Sequence, residues 1–165
     1  MKVLGIDPGL NKTGFGIVEK KGSKLKVLDI GIIQPAKNKK IDKKIFYLHK
    51  KLTKICDLYK PEECSIEELF FVKNVKSGIK VGQMRGVAIL TMAQKKIPVF
   101  NYTPTKIKLA VVGNGNAKKE QVKEMVKLLT GFKTEKKLTY DAYDAVAAAI
   151  CHLNNRRIKQ YDSLS

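Results

Sequence analysis

Long apolar runs are missing from this chain. No stretch approaches the ~20 residues that a membrane-spanning helix needs, and Met1 leads straight into strand-like sequence with no secretory h-region. Cysteine is sparse and unpatterned: Cys56, Cys64 and Cys151 are odd in number and show neither CxxC nor mixed Cys/His metal spacing. They read as small buried hydrophobes, and the expected location is a reducing cytoplasm. Arginine is nearly absent, with only Arg85, Arg156 and Arg157. The remaining basic side chains are lysines, point charges suited to phosphates, so extensive guanine readout by guanidinium is not expected. Acids are also scarce: 15 Asp and Glu face 33 Lys and Arg, for a net charge of +18 that favours polyanionic partners. Internal repeats, low-complexity tracts and linkers are all lacking. The expectation is one domain over residues 1–155 and a short polar tail over 156–165.

What is present reads as alternating strands and helices. Residues 2–7 are a buried strand, Pro8 to Gly14 a turn, and Phe15 to Glu19 a second strand. Lys21-Gly22 turns the chain into a third strand from Leu25 to Ile33. Ile41, Ile45, Leu48, Leu52, Ile55 and Tyr59 recur at helical spacing until Pro61 stops them. Cys64 to Leu69 reads as a strand, Ser77 to Lys95 as a helix, and 98–102 as a fifth strand. Thr103 with Pro104 signals a helix start. Gly113-Asn114-Gly115-Asn116 breaks that helix, another spans Ala117 to Thr130, and the last covers Tyr140 to Asn155. The order βββαβαβααα describes an α/β fold, a mixed five-stranded sheet flanked by helices.

Against the positive charge, four carboxylates sit beside core-forming sequence. Asp7 ends Val-Leu-Gly-Ile, Glu67 follows Ser65-Ile66, and Asp141 and Asp144 open an alanine-rich apolar segment. Acids in such places cost desolvation free energy unless a cation meets them. If the fourth strand pairs beside the first, Glu67 approaches Asp7. Asp141 and Asp144, three apart, share one helix face. One acidic cluster results, with oxygen ligands for two Mg²⁺ ions, or Mn²⁺ in their place, in phosphodiester hydrolysis. Each acid also has a plain reading: Asp-Pro-Gly is a common turn, and Asp141 and Asp144 fit a helix start. Asp29 has a similar setting and competes for the cluster. Lys108, Lys118 and Lys119 are candidates for phosphate contact or a solvated lysine face. Phe70 reads as core or as a base-stacking aromatic. His49 is expected to be exposed and His152 to cap the last helix. Gly82 and Gly86, on one helix face, permit close packing against the sheet or a second subunit.

The chain resembles the RuvC-type Holliday-junction resolvases at these residues. Gly5-Ile6-Asp7-Pro8-Gly9 with Thr13-Gly14 is similar to their opening motif. Ile66-Glu67 leading to Phe70 and Val72-Lys73-Asn74 is similar to their second. Val81-Gly82-Gln83 with Arg85-Gly86-Val87-Ala88, Val111-Val112-Gly113 through Lys119 with Gln121-Val122, and Asp141-Ala142 with Asp144-Ala145 follow in order. The resemblance runs over residues 3–153. It implies an RNase H-like fold, a homodimer and Mg²⁺-dependent paired nicking of four-way DNA junctions in recombination and repair. Asp7, Glu67, Asp141 and Asp144 then correspond to the catalytic, metal-holding acids. Lys108 and Lys119 correspond to lysines near the scissile phosphate, and Phe70 to an aromatic that stacks at opened base pairs. Lys73, Asn74, Arg85 and Lys118 are further DNA-contact candidates. The resemblance also makes the branch-migration proteins RuvA and RuvB expected partners. An RNA-processing nuclease of the same fold, of the YqgF type, or a non-catalytic nucleic-acid-binding module are the competing readings. A sugar-kinase or actin-like ATPase shares the Gly-Ile-Asp-Pro-Gly hairpin but needs two such domains.

Overall fold

In the computed structural model, which describes residues 1–68 and 75–162, β1 (Lys2–Asp7), β2 (Thr13–Lys21) and β3 (Lys24–Ile33) form an antiparallel meander. Gly22 closes the β2–β3 turn at φ 59°, a left-handed conformation that costs side-chain-bearing residues more. α1 (Ile41–Tyr59) carries the chain to β4 (Glu63–Glu67), which pairs parallel to β1. α2 (Val75–Gln94) leads to β5 (Val99–Tyr102), parallel to β4, and the sheet order is β3-β2-β1-β4-β5. α3 (Pro104–Val112), α4 (Lys119–Thr130) and α5 (Tyr140–Asp162) complete the expected order of elements.

Strand alternation divides the interior between two faces. Leu4, Ile6, Ile17 and Ile66 pack with Leu48 and Leu52 of α1 and Met84 and Met92 of α2. Val3 and Val18 point the other way, toward Ile107, Val111, Val122, Val126 and the alanines of α5. Each fully buried branched side chain contributes on the order of 1.5–3 kcal/mol, so both faces hold the sheet. Cys56, Cys64 and Cys151 are buried free thiols within these cores, as their spacing indicates.

Most element ends differ from the sequence reading by one or two residues, the usual scatter of frayed termini. Two differences go further. α5 continues past Asn155 to Asp162, because no glycine or proline intervenes and Arg156 pairs with Glu63 at 2.9 Å. His49 is half-buried, not exposed: its Nδ1 lies 3.0 Å from Thr91 Oγ1 and ties α1 to α2.

Candidate active site

β1 and β4 each end on a carboxylate. The parallel ladder pairs Gly5 with Ser65 and Ile6 with Ile66, and one further step sets Asp7 beside Glu67 on the same face. α5 crosses that face unusually closely. A Cβ on Gly5 would lie 1.8 Å from the Ala145 carbonyl oxygen, and one on Gly14 would lie 1.9 Å from that of Asp141. Bare backbone at these two positions lets the first turns of α5 settle onto β1 and β2. Ser65 Oγ donates to the Ala148 carbonyl at 2.8 Å and fixes the helix over β4. The turn after Asp7 is held by the Thr13 hydroxyl, which donates to the Gly9 carbonyl at 3.1 Å.

The result is one cavity of about 330 Å³ lined by Asp7, Glu67, Asp141 and Asp144. Lys108 of α3 and Lys119 of α4 stand in its wall, and Pro104, Ile107 and Val122 make its apolar side. Thr103 positions Lys108 by capping α3, its Oγ1 accepting from Lys106 N at 3.2 Å. Lys119 Nζ lies 4.0 Å from Asp144 Oδ2. Among the described residues, no three Asp, Glu, His or Cys side chains are already drawn into a closed coordination cluster; the acids ring the cavity instead.

Packing acids together in a half-buried cleft makes their charge costly. Burial first, then the charges of Glu67, Asp144 and Asp141, push the Asp7 carboxyl up to about 8, against a smaller opposing pull from Lys119. Burial and Asp144 push Glu67 up to about 7 despite Lys119 and Lys108. Asp144 is also raised, chiefly by burial. The two lysines therefore offset the negative charge only in part, and the cluster favours further positive charge.

Other candidates lie elsewhere. Lys118 is exposed at the N-cap of α4, where its backbone N–H donates to Gln121 Oε1 at 2.8 Å. Arg85 donates to Asn101 Oδ1 at 2.6 Å and does not line the cavity. Asp29 is excluded from the cluster: its carboxylate accepts from Ile30 N at 2.9 Å and hydrogen-bonds Tyr59, whose hydroxyl is raised first by desolvation and then by this contact. Phe70, Lys73 and Asn74 lie outside the described residues. His152 does not cap its helix. It is buried between the Tyr102 hydroxyl, 2.8 Å from Nδ1, and the Glu63 carboxylate at Nε2. The cavity's apolar wall escapes the sequence patterns, which mark Pro104 only as part of a helix start.

Fold and cavity together define an RNase H-like nuclease, with carboxylates at the ends of two central strands and on the helix laid across them. The family model for crossover junction endodeoxyribonuclease RuvC matches residues 3–152, and the chain belongs to that family. The crossover junction endodeoxyribonuclease RuvC of Petrotoga mobilis is 43% identical over 158 residues, covering 95% of this chain and 96% of that one. The structure of T. thermophilus RuvC in complex with Holliday junction substrate superposes with a TM-score of 0.89 at 29% identity, over 96% of both chains. Yeast mitochondrial Holliday junction resolvase Ydc2 shares the fold at 14% identity, with a TM-score of 0.70 over 98% of this chain and 83% of that one.

Proposed function

We propose that this protein resolves four-way DNA junctions by hydrolysing one phosphodiester in each of two strands, with Asp7, Glu67, Asp141 and Asp144 as its catalytic acids. The observation that carries the reading is the convergence of these four carboxylates and two lysines on one cavity, in a chain of the RuvC family. The donor set is all carboxylate oxygen, and the raised Asp7 and Glu67 carboxyls favour positive charge between them. It fits Mg²⁺, with Mn²⁺ as a substitute and two ions in each site. Held there by Asp7, Glu67, Asp141 and Asp144, such ions would activate water for attack and offset the charge on the leaving 3′ oxygen.

The chain's own groups do the rest. Lys108 and Lys119 meet the charge of the scissile phosphate at the rim. Pro104, Ile107 and Val122 restrict water on one side and keep the acids' field strong. The second strand is cut by a second copy in a homodimer. α2 supplies the contact: Val75, Ile79, Gly86 and Leu90 recur at helical spacing, and all are exposed. Phe70, close in sequence to Glu67, is the proposed stacking aromatic, with Lys73, Asn74, Lys118 and Arg85 as outer DNA contacts. A DNA substrate and buried free thiols fit the cytoplasm, with RuvA and RuvB as proposed partners.

The deciding experiment incubates the protein with Mg²⁺ and, in parallel, a mobile four-way junction, linear duplex DNA and structured RNA. The expected products are paired symmetric nicks in the junction alone. Equal cutting of linear duplex, or cutting of RNA instead, would overturn the reading.

A further inference from the structure

A second cavity, of about 480 Å³, opens beside the acidic one and shares Lys119 and Asp141 with it. Lys123 and Lys137 line it, together with Thr139 and Tyr140 at the start of α5. The reaction proposed above uses none of these last four residues. Charge distinguishes the two spaces: four carboxylates with two lysines in the first, three lysines with one aspartate in the second.

The second space is built for an anion from more than one direction. Lys123 Nζ lies 5.7 Å from the centre of the Tyr143 ring, so its stem is held against α5 and its ammonium is placed. Thr139 Oγ1 is enclosed and, among the described residues, has no hydrogen-bond partner, leaving its hydroxyl able to donate. The N-terminal turn of α5, a 23-residue helix, adds partial positive charge to the same wall. Glu120, the nearby acid, is already engaged by the Tyr140 hydroxyl at 3.1 Å. Lysine ammoniums are point charges that suit phosphate and carry no base preference.

We infer that this cavity seats the backbone phosphate next to the scissile one on the cut strand, and that Lys123 and Lys137 are positioning residues for cleavage. The inference rests on the junction-cleaving reading. Because the cavities share a wall, a strand whose scissile phosphate enters the acidic cavity continues into the basic one. With four carboxylates against two lysines, the acidic cavity is the poorer seat for a phosphate before cations fill it, whereas the basic one holds the strand beforehand. The seat therefore sets which phosphate faces the acids.

The test is a binding measurement without divalent metal, independent of turnover. A four-way junction carrying single methylphosphonates, placed in turn at each phosphate around the crossover, is titrated with wild type. The same series is run with Lys123→Gln, Lys137→Gln and the double variant, each checked for native melting temperature. In wild type, one methylphosphonate should weaken binding several-fold. In the double variant that penalty should vanish, and the slope of log affinity against log salt should flatten by about two per subunit. Lys24→Gln, on the exposed edge strand β3, should keep the penalty. With Mg²⁺, the double variant should spread its nicks over neighbouring phosphates. A double variant that binds more weakly yet retains every methylphosphonate penalty would overturn the seat and leave diffuse attraction. A wild-type protein that never nicks junctions defeats the proposed function instead, while the methylphosphonate profile still decides the seat.

Discussion

Gly14 stands directly across from Asp7 in the β1–β2 ladder, and the space its missing side chain leaves is filled by the backbone of Asp141. One position thus joins two of the acids: it clears the flank of the first and admits the helix that brings the second. The fit is backbone against backbone, which cannot rotate away as a side chain can.

Gly14→Ala is therefore expected to push α5 off the sheet. Overpacking of this kind costs about 1–3 kcal/mol, and contact at 1.9 Å places it at the upper end. Urea unfolding should give a lower midpoint. Junction cleavage should fall even at temperatures where the variant is fully folded, because Asp141 and Asp144 move with the helix. Unchanged cleavage by a destabilised variant would show that the acids do not depend on this approach.

The raised Asp7 carboxyl gives a pH dependence of known sign. Its folded value of about 8 exceeds the ordinary aspartate value of 3.8, so between these values the folded protein retains a proton that the unfolded chain has released. Stability from this group is present below about pH 4 and is lost as pH rises through 8. In metal-free buffer Asp7→Asn should raise the melting temperature near pH 8, with the gain disappearing near pH 4. Mg²⁺ should stabilise wild type more than the variant. Cleavage should be abolished in Asp7→Asn, and likewise in Glu67→Gln, Asp141→Asn and Asp144→Asn, with junction binding retained.

Lys108 and Lys119 should act on both affinity and rate. Replacing either with Ala should flatten the slope of log affinity against log salt by about 0.9 or less per subunit. Both lysines oppose the upward push on Glu67 and Asp144, so their loss also leaves the acids more protonated at neutral pH. Cleavage should fall more than binding does and recover in part as pH rises. Single-turnover rates across pH 6–9 would check this; a fall that no pH restores would confine the lysines to phosphate contact.

Away from the cavity, Glu63, His152 and Tyr102 form a buried polar cluster, with Arg156 closing it 2.9 Å from Glu63. His152→Ala removes one of the two partners of the buried Glu63 carboxylate, leaves Arg156 alone against it and takes the ring nitrogen from the Tyr102 hydroxyl, a change that costs about 1–3 kcal/mol. Replacing Glu63 and His152 together with leucine should recover much of that loss. Denaturant midpoints of the two variants provide the comparison. Cleavage by folded His152→Ala should match wild type, since the cluster lines no part of the acidic cavity.

Much of this architecture was legible in the sequence, for identifiable reasons. Turn glycines, helical spacing and the Thr103-Pro104 start are local signals, and they mark all ten elements in order. The acids stood out because a carboxylate next to apolar sequence is costly wherever it occurs. Legibility failed where the cause is distant in the chain. Asp29 resembled a member of the cluster until the β-meander placed it against Tyr59. Glu63 and His152, 89 residues apart, carry no local mark of their pairing. The close approach of α5 depends on Gly5 and Gly14 meeting Ala145 and Asp141, and spacing within either segment does not show it.

Assembly provides the last expectation. A four-way junction is nearly two-fold symmetric, and the four acids of one chain meet in a single cavity, so two cuts of like polarity call for a C₂ dimer. On α2, Ile79 and Leu90 are 60% and 56% exposed, and Gly86 between them has open space at its Cβ position, so a second helix can approach closely. Sedimentation at micromolar concentration should give twice the chain mass of 18.5 kDa. Ile79→Asp with Leu90→Asp should return it to one chain without unfolding it. On a supercoiled plasmid with an extruded cruciform, the dimer should make both cuts within the life of one complex and yield linear DNA with little nicked circle. The charge-substituted variant should release singly nicked circles instead. Linear product from a variant shown to be monomeric would place the second cut in a separate encounter and remove the need for the α2 contact.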